Sequence, residues 1–207
     1  MNKWWETKDD APQGWEDLGI EDPEPPAPDL EMAAPKHLRK VEGVRRLWRC
    51  SRPGYPGKMV PPARIDEAVE RMKEEAGIDT VFVLLSDAEY WFYYGLDLVE
   101  RYRALGLEVR AFPIMDFSTP RAPRAHEMAR AMHEDLKAGK RVAVHCSAGI
   151  GRTALAINCL FEYRKVMFKW KVPKALSSEA GNQASFLVSF RAYMRRVKRE
   201  QNKEEGK

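Results

Sequence analysis

The chain has 207 residues, enough for one compact core with extensions, and its 35 Lys and Arg against 31 Asp and Glu leave a formal net charge of only +4. Three cysteines in a chain of this size exclude a disulfide framework, and no apolar run reaches the ~18–20 residues of a membrane span. The start Met1-Asn2-Lys3-Trp4-Trp5 lacks the apolar stretch of a secretory leader, so the cytoplasm is the expected compartment.

Charge is unevenly spread. Residues 1–35 carry 2 basic and 10 acidic residues, which leaves 33 basic and 21 acidic for the rest of the chain. Residues 1–40 read as an acidic, proline-rich arm, because Glu21-Asp22-Pro23-Glu24-Pro25-Pro26 favours extended, unpaired backbone. Trp4, Trp5 and Trp15 give this arm two readings, docking on its own domain or contacting a partner, and the residues do not choose between them. The basic remainder attracts acidic or phosphorylated substrates.

From about residue 44 strands and helices alternate. Arg46–Cys50 reads as a short strand, followed by a turn through Pro53-Gly54-Tyr55-Pro56-Gly57. Ile65, Ala68, Val69, Met72 and Ala76 share one helical face, and Gly77 stops that helix. Thr80–Leu85 is a continuous apolar strand of the buried parallel kind, and Asp87 is expected to cap one helix running toward Leu105. Leu107–Phe112 forms a further strand that leads into a loop carrying Asp116. A helix with Ala125, Met128, Ala129, Met132 and Leu136 follows, ended by Gly139. Arg141–His145 is a strand, Thr153–Phe161 a central buried helix, and Phe186 to Val197 an amphipathic helix; Lys198–Lys207 reads as a frayed charged tail. The alternation implies an α/β fold, a parallel-dominated sheet flanked by helices on both faces.

The strand at His145 opens into Cys146-Ser147-Ala148-Gly149-Ile150-Gly151-Arg152-Thr153 and then a helix. A loop there turns backbone N–H groups inward, the helix N-terminus adds partial positive charge, and two glycines allow close approach, which suits a tetrahedral dianion. Thiols at helix N-termini beside arginine ionise readily, so Cys146 is the expected nucleophile. Arg152 at a helix start opposes the dipole unless an anion sits there, and its fork suits two phosphoryl oxygens. The amides from Ser147, Ala148, Gly149, Ile150, Gly151 and Arg152 complete the cradle.

His145, Cys146, Gly149, Arg152 and Thr153 resemble the His-Cys-x5-Arg-Ser/Thr signature of the cysteine-dependent protein tyrosine phosphatase superfamily. The acid loop Pro113-Ile114-Met115-Asp116-Phe117 is similar to that of the compact dual-specificity branch. The resemblance covers about residues 44–198. Together with the composition of the two ends, it divides the chain into an acidic arm over 1–40, a phosphatase domain over 41–200 and a charged tail over 201–207.

It also implies a division of labour. Asp116 is the general acid, Thr153 donates a hydroxyl to the sulfur, His145 orders the loop, and Gln183 loosely matches a water-positioning glutamine. Asp87 is the rival acid. Cys50 is a candidate redox partner of Cys146, Cys159 a core thiol, and Arg52 a further phosphate-attracting cation. The run Tyr90-Trp91-Phe92-Tyr93-Tyr94 lines a cleft or, more simply, packs in the core. Thiolate chemistry calls for no metal and no cofactor, and the four histidines show no metal spacing. A phosphorylated protein is the expected substrate, phosphotyrosine first and phosphoserine or phosphothreonine as pocket depth allows; nucleic acid is not the expected partner. The alternatives are a lipid or inositol phosphatase, an RNA 5′-phosphatase, or a phosphate-binding module without turnover. The neutral residues between Cys146 and Arg152 weigh against a polyanionic substrate.

Overall fold

The computed structural model describes residues 38–176 and 181–206, so the arm, whose two readings concern residues 1–37 above all, lies almost wholly outside the described residues. Five strands, β1 (Arg39–Lys40), β2 (Leu47–Cys50), β3 (Thr80–Val83), β4 (Glu108–Ala111) and β5 (Val142–His145), form one sheet in the order β1-β2-β5-β3-β4. Only the β1–β2 pair is antiparallel. β5 is central and is flanked by β2 and β3, with Cys50 and Val83 both paired to His145, so the strand that delivers the cysteine ends in the middle of the sheet.

Helices cover both faces. α1 (Pro62–Ala76), α2 (Asp87–Tyr94) and α3 (Leu98–Ala104) pack on one side with Val81, Val83 and Ala143. α4 (Ala122–Lys137), α5 (Gly151–Phe168) and α6 (Gly181–Glu204) pack on the other with Leu47, Phe82, Val142 and Val144. The period-two alternation of β-strand side chains thus divides β3 and β5 between two cores, which is why their sequences are apolar throughout. α5 is buried along nearly its whole length, from Arg152 to Arg164, between α4 and α6.

Two expected elements differ. The single helix from Asp87 toward Leu105 is two helices: Gly95 at φ 65 ends α2, and Asp97 caps α3 by accepting from the Val99 and Glu100 amides. Ser86, not Asp87, is the cap residue of α2, and its N–H and hydroxyl both donate to Glu89. The tail expected to fray from Lys198 continues α6 to Glu204. Lys, Arg, Glu and Gln are strong helix formers, and Lys198 Nζ donates to the Val166 and Met167 carbonyls at 2.7 Å each, tying α6 to the end of α5. Among the described residues no helix is long and apolar enough to cross a membrane.

Candidate active site

The turn after β5 is dictated by Gly149. Its φ is +77, and a Cβ there would lie 2.3 Å from the Cys50 carbonyl oxygen, so only glycine lets the loop close onto the end of β2. The Arg52 N–H donates to the Ser147 carbonyl at 2.9 Å and secures the same contact from the other side. α5 then starts at Gly151 with no side-chain cap, so its first amides are not taken by the chain's own side chains.

Cys146 is buried at 3 % exposure, and its Sγ accepts the Gly149 N–H at 3.3 Å. His145 is fully buried. Its Nδ1 lies 3.0 Å from the Cys146 carbonyl and therefore donates, which leaves Nε2 to accept from the Tyr102 hydroxyl at 3.2 Å. Burial, then the Arg52 and Arg152 charges, outweigh the Cys146 carbonyl bond and hold the imidazole down at about 4, so it is neutral near pH 7. The two ring nitrogens of His145 thus tie the first residue of the loop to Tyr102 on α3.

Arg152 is 2 % exposed. Nη1 and Nη2 donate to Glu89 Oε2 and Oε1 at 2.8 Å each, and Nη1 also donates to the Ile114 carbonyl at 2.9 Å. Glu89 was not singled out from sequence. Its signal was Ser86-x-x-Glu89, a capping box whose carboxylate here serves both the helix start and the arginine. Burial alone would raise the Glu89 carboxyl, but the bonds from Arg152 and Ser86 hold it below the usual range.

Asp116 reaches the same guanidinium from the opposite loop, with Oδ1 3.1 Å from Arg152 Nη2. Its carboxylate is half-exposed and also accepts the Phe117 N–H. Asp116, Cys146, Ser147, Ala148, Ile150, Gly151 and Arg152 share one cavity of about 270 Å³ with Tyr55, Phe117 and Gln183. Asp87, the rival acid, does not line it. Gln183 does: α6 places it there 1 % exposed, with Nε2 donating to the Ser118 carbonyl and Oε1 without a partner. The expected bond from Thr153 to the sulfur is not made; its hydroxyl is fully buried with no partner. Arg152 Nε is likewise unpaired, so three of the four buried side-chain polar atoms without partners among the described residues belong to this site.

Arg52 does not reach into the cavity. It is buried beneath the loop, stacks at 3.7 Å on the Tyr93 ring, and donates to Ser147 Oγ and to the Pro53, Pro56 and Gly57 carbonyls. It is a second cation set behind the Cys146–Arg152 loop. The aromatic run divides: Tyr90 and Tyr94 are core, Tyr93 supports Arg52, and Trp91 and Phe92 are exposed. Cys50 is buried against the loop, and burial followed by the Cys146 charge pushes its thiol up to about 12. All three cysteines are free.

Residues 28–169 match the family described as Cyclin-dependent kinase inhibitor 3 (CDKN3). The chain belongs to that family. A cyclin-dependent kinase inhibitor 3 of Rattus norvegicus is 30% identical over 126 residues, which is 61% of this chain and 58% of the relative; the Homo sapiens protein is 29% identical over the same length. The chain thus spans a little over half the length of these curated CDKN3 relatives. A solved structure of kinase associated phosphatase, with its catalytic-site cysteine replaced by serine, superposes with a TM-score of 0.58 at 22% identity, covering 72% of this CDKN3-family chain and 86% of that one. The active form of Tk-PTP superposes with a TM-score of 0.52 at 22% identity, covering 71% and 92%. These two likenesses establish the fold, a central sheet flanked by helices, for this CDKN3-family member.

Proposed function

We propose that this chain is a cysteine-dependent protein phosphatase that hydrolyses phosphotyrosine, and phosphoserine or phosphothreonine where they reach the loop, through a phosphocysteine intermediate. The observation that carries this reading is the clustering of unpaired buried donors, Arg152 Nε and the Thr153 hydroxyl, around a buried Cys146 in a loop that folds only with glycine at 149. Each such group costs about 1–3 kcal/mol unless it meets an acceptor, and a phosphoryl group supplies several.

In the first step the Cys146 sulfur attacks phosphorus in line. An S–P bond forms, the P–O bond to the leaving group breaks, and Asp116 passes its proton to the departing oxygen. Arg152 holds two equatorial oxygens through Nε and Nη2, its Glu89 pairing fixing the guanidinium plane. In the second step Gln183 orients a water, Asp116 takes its proton as the water oxygen bonds to phosphorus, the P–S bond breaks to return the Cys146 thiolate, and orthophosphate departs. Thr153 donates to the sulfur as it leaves. The neutral side chains of residues 147–151 favour a monoester over a polyphosphorylated ligand. A thiolate nucleophile survives in reducing surroundings, which supports a cytoplasmic setting.

The relatives' shared name makes a phosphorylated cyclin-dependent kinase the first protein substrate to assay. Turnover of para-nitrophenyl phosphate tests the reading directly. Cys146→Ser should abolish it, and Asp116→Asn should lower kcat by about 10²–10⁴-fold, most for poor leaving groups. Retained turnover in Cys146→Ser sinks the proposal.

A further inference from the structure

On α5, twelve residues beyond Arg152 and about 18 Å along the helix, lies a second buried arginine that the catalytic site does not use. Arg164 is 8 % exposed. Its Nε donates to His133 Nδ1 at 3.3 Å, its guanidinium carbon lies 4.9 Å from the centre of the Trp170 ring, and among the described residues its terminal nitrogens meet no carboxylate or carbonyl. It does not serve the end of its own helix, because Lys198 takes the Val166 and Met167 carbonyls there.

Arg164 lines a cavity of about 310 Å³ at the ends of α4 and α5, roofed by the Gly43–Arg45 turn and residues 170–173. Arg45, Lys137, Lys171 and His133 share the wall, and no described lining residue is acidic. The remaining wall is apolar, chiefly Val44, Leu136, Phe161 and Val172. Positive charge is therefore gathered in a partly dry pocket whose lining carries no counter-charge. His133 registers this field: burial, then the Arg164 and Lys137 charges, lower its pKa against the opposing Glu134 carboxylate, which acts from outside the lining. A pocket of this size, apolar with a few converging polar groups, is the form that small-ligand sites take. Several cations around one guanidinium select a doubly charged oxyanion, and the apolar wall selects a body attached to it.

We propose that this cavity binds a small amphipathic oxyanion, a phosphate-type head on an apolar body, at a site separate from the phosphate loop. The head pairs with Arg164, and Lys137 and Lys171 close over it, while the body lies along Phe161 and Leu136 beside Trp170.

The test is a titration of the full chain with phenylphosphonate, whose P–C bond resists hydrolysis. The Trp170 indole N–H signal, assigned with Trp170→Phe, is followed by nitrogen-resolved NMR with vanadate filling the phosphate loop. The expected result is a saturable shift with a midpoint in the millimolar range or below. Arg164→Met should weaken it more than tenfold with turnover of para-nitrophenyl phosphate unchanged. Lys137→Gln and Lys171→Gln, at exposed positions that carry no folding risk, should each weaken it severalfold. A Trp170 signal that stays still, that shifts only when vanadate is absent, or that shifts at the same concentration in both lysine variants overturns the proposal.

Discussion

Gly149 and Glu89 set the Cys146–Arg152 loop by different means, and each makes a prediction. Alanine at 149 would place a methyl 2.3 Å from the Cys50 carbonyl oxygen at a φ of +77, and backbone on the interior strand β2 cannot yield. Gly149→Ala should lower stability by several kcal/mol, since strain and overpacking add, and should remove turnover even where the protein folds. Thermal unfolding and para-nitrophenyl phosphate turnover check both. Glu89→Gln keeps the shape but removes the charge that fixes the Arg152 plane, worth about 1.5–3 kcal/mol for a charge-assisted pair. A fall of roughly 10–100-fold in kcat/KM is expected, with weaker vanadate inhibition. Cys146 and Arg152 were legible in the sequence because they fall within one short loop; Glu89 was not, because its partner is 63 residues away and its local role as a helix cap explains it without the arginine.

At the scale of elements, the strands and most helices could be read from periodicity because the sheet divides two apolar cores. The break at Gly95 escaped, since the aromatic run before it fits one long helix and the Asp97 cap is visible only once the chain has turned. The last helix shows why the site is not purely a matter of the loop. α6 carries Gln183 into the cavity beside Cys146, and its anchor is Phe190, fully buried and stacked at 5.8 Å on Phe186, with Met194 below. Phe190→Ala should cost about 3–5 kcal/mol and lower the urea midpoint. A structure that relaxes at α6 should also slow the hydrolytic second step relative to the first, seen as a larger burst of nitrophenol. The arginines of the second cavity could not be found from sequence, because basic residues near helix ends ordinarily answer the helix dipole.

The whole molecule should respond to acid through the centre of its sheet. His145 is held at about 4 in the folded protein against 6.5 for the free side chain, so the unfolded chain takes up a proton at higher pH than the folded one. Stability is therefore full above pH 6.5 and falls progressively between pH 6.5 and 4, by about 3 kcal/mol at most from this residue. Urea midpoints across that range should fall, and the slope should flatten in His145→Asn. Glu89 and Asp135, both held below the usual carboxylate range, add further loss at lower pH.

Asp116 leans on the guanidinium edge that a phosphoryl oxygen must use, 3.1 Å from Arg152 Nη2. A tethered carboxylate is thereby a rival for every anion that enters, the spent orthophosphate included. In the proposed mechanism Asp116 would then work as a spring behind the departing product as well as a proton source for the leaving group. Asp116→Asn should retain orthophosphate several times more tightly than the parent does, and competitive inhibition constants for the two proteins would show whether it does.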